Sequence, residues 1–318
     1  MTKNVELARL VPKEVEKAII GKGDCVQKIM IAILAGGHVL IEDIPGVGKT
    51  TLALSFAKAM DLQQNRIQFT PDVLPSDITG FTMYHRETGE FAYRPGAVMC
   101  NLFLADEINR TSAKTQSALL EVMEERAVTV DGVTRPVPAP FLVIATENPI
   151  GSAGTQMLPE SQLDRFMVCI AMGYPEEADE IRILEEQALA QPLTHVKPVI
   201  TRTQLLQMQQ EAAQVYIHPT VYRYIVALSR ATRDSEALSL GLSPRASLAT
   251  ASMARAAAYL SGRDFVLPDD VYRVFKDVAH HRLRLSPQAQ MERKSVDQVL
   301  DDILASVRKP RPEITHEK

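Results

Sequence analysis

Apolar positions along the chain form short continuous runs separated by stretches with helical spacing. His38–Glu42 (HVLIE), Asn101–Ala105 (NLFLA) and Phe141–Ala145 (FLVIA) carry the pattern of strands buried on both faces, with a β-prone segment at Arg66–Phe69 and a last run at Met167–Ala171. Pro12–Ile20, with Val15, Ala18 and Ile19 on one face, predicts an amphipathic helix, and Asp24 is expected to cap a second over Cys25–Leu34. Lys49–Met60 and Ser112–Glu125 are also helical in pattern. Strands alternating with helices predict a parallel α/β sheet. Phe81–Arg94, around Thr88-Gly89, and Ala127–Val137, around Asp131-Gly132, read as hairpins. Beyond Gly173-Tyr174-Pro175 the pattern is helical, over Glu176–Ala190, Arg202–Val215, Pro219–Arg233, Pro244–Ser261 and Pro268–His281, and Met208, Tyr216 and Tyr222 read as core there. Prolines opening the last three helices suit a first turn, where a missing N–H costs little. The expected division is an α/β part over 1–172, a helical part over 173–307 and a disordered polar tail over 308–318.

Composition narrows the class. With 46% hydrophobic and 23% charged residues, the 318-residue chain has the balance of a globular protein able to bury a large core. Its 35 basic and 39 acidic residues leave a net charge of -4, so no overall positive field draws it to nucleic acid or anionic lipid. Cys25, Cys100 and Cys169 stand alone without metal-site spacing, which predicts buried free thiols in a reducing compartment. The N-terminus lacks the apolar core of a signal peptide, and no run reaches the ~18 apolar residues of a membrane span. A cytoplasmic location is expected.

The chemistry concentrates where the first strand meets the third helix. There the turn Pro45-Gly46-Val47-Gly48 leads into Lys49, Thr50 and Thr51. A glycine-bearing turn at a helix N-terminus aims N–H groups and the positive end of the helix dipole at one point, as a phosphate requires. Lys49 would reach the β/γ-phosphates and the Thr50 hydroxyl would sit on the accompanying Mg2+. The usual pattern begins with a glycine where this chain has Asp43; an ordinary strand-turn-helix is the plain alternative. Asp106 and Glu107 end an apolar run, either as a solvated strand end or as acids beside the Mg2+ shell, one of them activating water. Asn148 would bond that water or the γ-phosphate, or simply form a turn before Pro149. Arg165 is either half of a surface ion pair with Asp164 or another acid, or a cation completing a neighbouring subunit's site. Arg245, in the first turn of a helix where a cation is disfavoured, has a functional reason in contact with phosphate.

Taken in order, EDIPGVGKT, TPDVLPSDITG, FLADEINR, ATENP, LPESQLDRF and LSPRA resemble the motifs of the AAA+ ATPases, and the match is nearest to the MoxR family over essentially the whole length. The resemblance implies a P-loop NTPase core with a parallel five-stranded sheet, followed by a smaller all-helical lid. By it, Lys49 and Thr50 are Walker A residues, Asp106 and Glu107 Walker B, Asn148 sensor 1, Arg165 the arginine finger and Arg245 sensor 2, with Gly21 near the adenine. Glu147 stands where a Gln is expected. The hairpins resemble the insertions shared by MoxR proteins, magnesium chelatase ATPase subunits and replicative helicases, and the exposed arm His85–Glu90 is expected to contact a substrate or partner in a central channel. The resemblance also implies ATP and Mg2+ as cofactors, a homo-oligomeric ring, expected to be a hexamer, and a chaperone-like remodelling of a client protein complex. The partner implied is a protein with a von Willebrand factor A domain, often in metal or cofactor insertion. A metal-chelatase ATPase subunit and a DNA-acting motor of the same clade are the alternatives; the acidic balance and the lack of a DNA-binding module speak against the second.

Overall fold

The computed structural model describes residues 3–44, 46–87, 89–147, 158–187 and 192–310. They fall into two compact units, 1–210 and 211–318. In chain order the first unit runs α1 (Lys3–Val15), α2 (Gly23–Leu34), β1 (Val39–Glu42), α3 (Lys49–Ala59), β2 (Gln64–Gln68), α4 (Pro75–Thr79), β3 (Gly80–His85), β4 (Glu90–Pro95), β5 (Leu102–Asp106), α5 (Ala113–Glu125), β6 (Ala127–Val130), β7 (Val133–Pro136), β8 (Leu142–Glu147), α6 (Glu160–Leu163), β9 (Val168–Ile170), α7 (Glu177–Gln187) and α8 (Arg202–Ala213), the last crossing into the second unit.

Five of the strands form one parallel sheet in the order β2-β5-β8-β1-β9. Because side chains alternate along a strand, each apolar run feeds two cores. Leu40, Phe103, Ala105, Val143 and Ala145 join Leu119, Leu120 and Met123 of α5 on one face. Val39, Ile41, Leu102, Leu104 and Ile144 are equally buried on the other, where α3 packs against β5 and α2 against β9. Burial of each of the Val, Leu, Ile, Phe and Met side chains among these is worth about 1.5–3 kcal/mol, so the sheet is fixed from both sides. The adjacent C-terminal ends of β1, β8 and β5 are left to carry Glu42, Glu147 and Asp106, the edge where parallel sheets bind ligands. The hairpins β3–β4 and β6–β7 stand as separate two-stranded ribbons.

Several local expectations are corrected. The first helix spans Lys3–Val15 with Pro12 inside it, because Val5, Ala8, Val11 and Val15 make one buried stripe. Asp24 is not the cap of α2; Lys22 holds that place without a side-chain bond to the helix, and Asp24 pairs with Lys28 at 2.9 Å. Described residues of 173–210, a stretch grouped by pattern with the helical part, bond within the first unit: the Lys197 N–H donates to Glu14 Oε1, the Val199 N–H to the Ala59 carbonyl and Gln209 Nε2 to the Ile33 carbonyl.

The second unit contains α9 (Pro219–Arg233), β10 (Leu238–Leu240), α10 (Pro244–Leu260), α11 (Pro268–Ala279), β11 (Arg284–Leu285), α12 (Pro287–Met291) and α13 (Val296–Ser306). Prolines occupy the first turns of α9, α10 and α11 as expected. The small antiparallel pair β10–β11 and helix α13 go beyond the sequence reading. Tyr216 and Tyr222 are exposed, not core, whereas Met208 is buried in the first unit. The tail from 311 onward lies outside the described residues. No described helix is long and apolar enough to cross a membrane.

Candidate functional site

After β1 the chain turns through Asp43 and Ile44 to Gly46 and Gly48, at φ +90 and +93, and enters α3 at Lys49. A side chain at these positive φ values would be strained, which is why the loop needs glycine. Gly48 is the N-cap of α3 and no side chain caps the helix, so its N-terminal turn faces the loop. Val47 and Thr51 flank it; Pro45 lies outside the described residues. Lys49 is buried and its ammonium donates to the backbone carbonyls of Asp43 and Glu147, the latter at 3.2 Å. Burial holds its pKa below the usual lysine range, opposed by the charges of Asp43, Asp106, Glu107 and Glu147. An anion in the loop would complete this arrangement.

Asp43 clamps the loop. One carboxylate oxygen accepts the N–H groups of Met172 and Gly173, both at 2.5 Å, and the other accepts the Ile44 N–H at 2.8 Å. The residue that departs from the usual glycine thus ties the loop to the chain leaving β9.

The acids converge on the same edge. Asp106 accepts Thr50 Oγ1 at 3.1 Å and Arg66 Nη2 at 2.8 Å on one oxygen, and Thr146 Oγ1 at 2.6 Å on the other. Burial pushes its pKa up, but the bonds from Thr146, Arg66 and Thr50 prevail and hold the carboxyl below its usual range. Glu107 follows in a left-handed conformation, φ +56, with its N–H on Thr146 Oγ1 at 2.9 Å and its carboxylate held by Arg110 Nη1 at 2.7 Å. Among the described residues no three His, Cys, Asp or Glu side chains are grouped to hold a metal. Thr50 and Asp106 instead offer a hydroxyl and a carboxylate at the foot of the loop, a donor set that suits Mg2+, which keeps several waters and takes phosphate oxygens.

Beside the loop lies a cleft of about 320 Å3 lined by Ile19, Ile20, Gly46, Gly48, Tyr174 and Leu184 among others. Apolar walls at one end and the glycine loop at the other match a flat base joined to a phosphate chain. Gly21 stands at its margin, at φ +74, where a Cβ would lie 2.2 Å from Asp179 Oδ2.

Lys49, Thr50, Asp106 and Glu107 therefore come together. Arg165 does not join them: the Met167 N–H donates to the His38 carbonyl at the start of β1, so Arg165 sits at the opposite edge of the sheet, paired with Glu124 at 3.2 Å. The four residues of β1 span roughly 13 Å between these edges. Arg245 is an exposed residue in the first turn of α10 in the second unit. Asn148 lies outside the described residues. Sequence reasoning missed Arg66, Arg110 and Thr146. Arg110, three residues after Glu107, was within reach as a helical-spacing ion pair; Arg66 depends on β2 lying beside β5, which no local signal reveals.

Comparison with known proteins gives the same picture. The family described as "ATPase family associated with various cellular activities (AAA)" matches residues 38–168, and the AAA lid domain matches 230–303. The chain is 44% identical to the uncharacterized protein YeaC of Bacillus subtilis, covering 96% of each. To chaperone MoxR1 of Mycobacterium tuberculosis it is 41% identical, over 94% of this chain and 81% of the relative. A crystal structure of a candidate ATPase from Cytophaga hutchinsonii superposes with a TM-score of 0.89 at 36% identity, covering 97% of this chain and 96% of the other.

Proposed function

Because the chain belongs to the MoxR family of AAA+ ATPases, we propose that it hydrolyses ATP to ADP and phosphate in a ring of identical subunits, a hexamer, and uses the cycle to remodel a client protein complex. The observation that carries this reading is the convergence of Lys49, Thr50, Asp106 and Glu107 at one sheet edge beside the cleft. Lys49 would leave its carbonyls for the phosphates. Glu107, oriented by Arg110, would accept the proton of the attacking water. Mg2+, held through Thr50 and Asp106, would neutralise phosphate charge. Asn148 would orient the water, and Gly21 would border the adenine end of the cleft.

Arg165 and Arg245 act as cations on the transferred phosphate, Arg165 from a neighbouring subunit. What supports the first assignment is the placement of Arg165 at the edge opposite its own loop: a head-to-tail ring closes when each subunit presents that edge to the next loop. The lid assignment of the helical part rests on the lid-domain match at 230–303. We place the protein in the cytoplasm, a reading supported by three buried cysteines that form no disulfide. The exposed hairpin β3–β4, with Phe91 of β4 74% accessible, is the proposed contact for client or partner.

The partner class proposed is a protein with a von Willebrand factor A domain, with metal or cofactor insertion as the setting. Affinity capture from native lysate tests it, using Glu107→Gln locked in its ATP-bound assembly against Lys49→Ala. Recovery of such a protein with the first bait alone is the expected result; recovery of nucleic acid or replication proteins in its place would overturn the reading.

A further inference from the structure

The parallel register sets Glu42, the last residue of β1, directly beside Glu147, the last residue of β8. Side chains at paired positions of adjacent parallel strands project to the same face, so the two glutamates leave the sheet as neighbours at the foot of the phosphate loop. Both residues are half-buried. Their backbone is tied to the loop as well: the Glu147 carbonyl accepts the Asp43 N–H and the Lys49 ammonium, each at 3.2 Å. On the far side the Cys169 thiol of β9 lies 3.9 Å from Glu42 Oε2. The remaining charges near Lys49 are those of Asp43 in the loop and of Asp106 and Glu107 at the end of β5. Arg66 and Arg110 are paired with Asp106 and Glu107, so three cations stand among these five acids.

Two carboxylates in such a place cannot both ionise without cost. Burial and the charge of Glu42 push the Glu147 carboxyl up to about 7, with Lys49 opposing them. Resting on the reading of the loop as a nucleotide site, we infer that Glu147, set beside Glu42 behind the phosphate loop, is the carboxyl that takes up a proton from solvent when a nucleoside di- or triphosphate binds. Two effects couple the events. The incoming phosphates add negative charge near the pair, and they draw Lys49 away from the Glu147 carbonyl. Each favours the protonated Glu147 carboxyl over the ionised one. The proton comes from water and ends on a carboxylate oxygen, and no other bond changes.

A ligand that raises the proton affinity of a group binds more weakly once pH rises past that group's ligand-free pKa. Nucleotide affinity should therefore fall as pH rises from slightly acid to slightly alkaline. Glu147→Gln mimics the protonated acid permanently and removes the dependence, which a merely structural role for Glu147 would not do.

Two measurements on the full chain test this. Infrared spectroscopy of the nucleotide-free protein should show a protonated carboxyl band that titrates near neutral pH, is absent from Glu147→Gln and titrates at lower pH in Glu42→Gln. Titration with fluorescent N-methylanthraniloyl-ADP should show wild-type affinity falling by about tenfold more than that of Glu147→Gln between pH 6 and pH 8, the variant's curve carrying the nucleotide's own titration. Absence of the band from the wild type at neutral pH, or equal pH dependence in wild type and both variants, would overturn the pair. A wild type that binds the nucleotide at no pH would overturn the nucleotide reading and the coupling with it, which separates that failure from a failure of the pair alone.

Discussion

His38 shows how much a single side chain can organise. It is buried at the entrance to β1, with Nε2 donating to the Met123 carbonyl at 3.1 Å and Nδ1 accepting the Val143 N–H at 3.0 Å, so one neutral ring joins β1, α5 and β8. Burial, with the nearby charge of Arg126, lowers its pKa to about 3. Between that value and the ordinary 6.5 the unfolded chain binds a proton that the folded chain refuses, so the stability His38 confers is complete above 6.5 and drains away as pH falls. Urea unfolding at pH 7.5 and pH 5 should show a loss of about 2 kcal/mol attributable to this group, absent from His38→Gln. Equal pH dependence in the two proteins would contradict the neutral assignment. The importance of His38 was not legible in the sequence, where it reads only as the first residue of an apolar run. Lys49 and Thr50 were legible because the glycine loop and helix start that position them are local. Asp43 looked like a departure from a pattern, and its role as a clamp appears only once Met172 and Gly173 are brought to it from far along the chain.

Among the elements, the hairpins and the sheet strands were readable because period-two alternation and turn residues are local signals. At the tip of β6–β7, Asp131 and Gly132 both have positive φ, the turn that an Asp-Gly pair favours. Helix α13 also left a signal, since Ser295 and Gln298 form a capping box. Helix α1 was misplaced because proline is a usual start signal, and here the apolar stripe outweighs the cost of an interior Pro12. The hairpin β3–β4 depends on a feature that sequence does not show: at its base Gly80 has φ +86, and a Cβ there would meet the Arg94 carbonyl oxygen at 2.3 Å and the Gly96 nitrogen at 2.7 Å. Gly80→Ala should therefore destabilise the protein by about 3 kcal/mol, whereas Gly89→Ala at the open tip should cost about 1 kcal/mol. Urea midpoints of the two variants check this, and equal midpoints would show that the base of the hairpin yields easily.

At the scale of the whole molecule, the order of motifs made the family readable, while the proposed assembly rests on where one residue is not. Arg165 is held at the edge of the sheet away from Lys49, paired with Glu124 on its own chain. A chain alone therefore lacks a cation that the proposed hydrolysis needs, and activity should appear only on assembly. The most direct test mixes two inactive proteins. Arg165→Ala retains Glu107 but offers no cation to its neighbour, and Glu107→Gln retains Arg165 but cannot activate water. Each alone should hydrolyse ATP at least about 100-fold more slowly than wild type. An equal mixture allowed to co-assemble should recover up to about a quarter of wild-type activity, because random placement around a ring restores that share of complete sites. No recovery in verified mixed assemblies, or full activity of Arg165→Ala as a dilute monomer, would contradict the account.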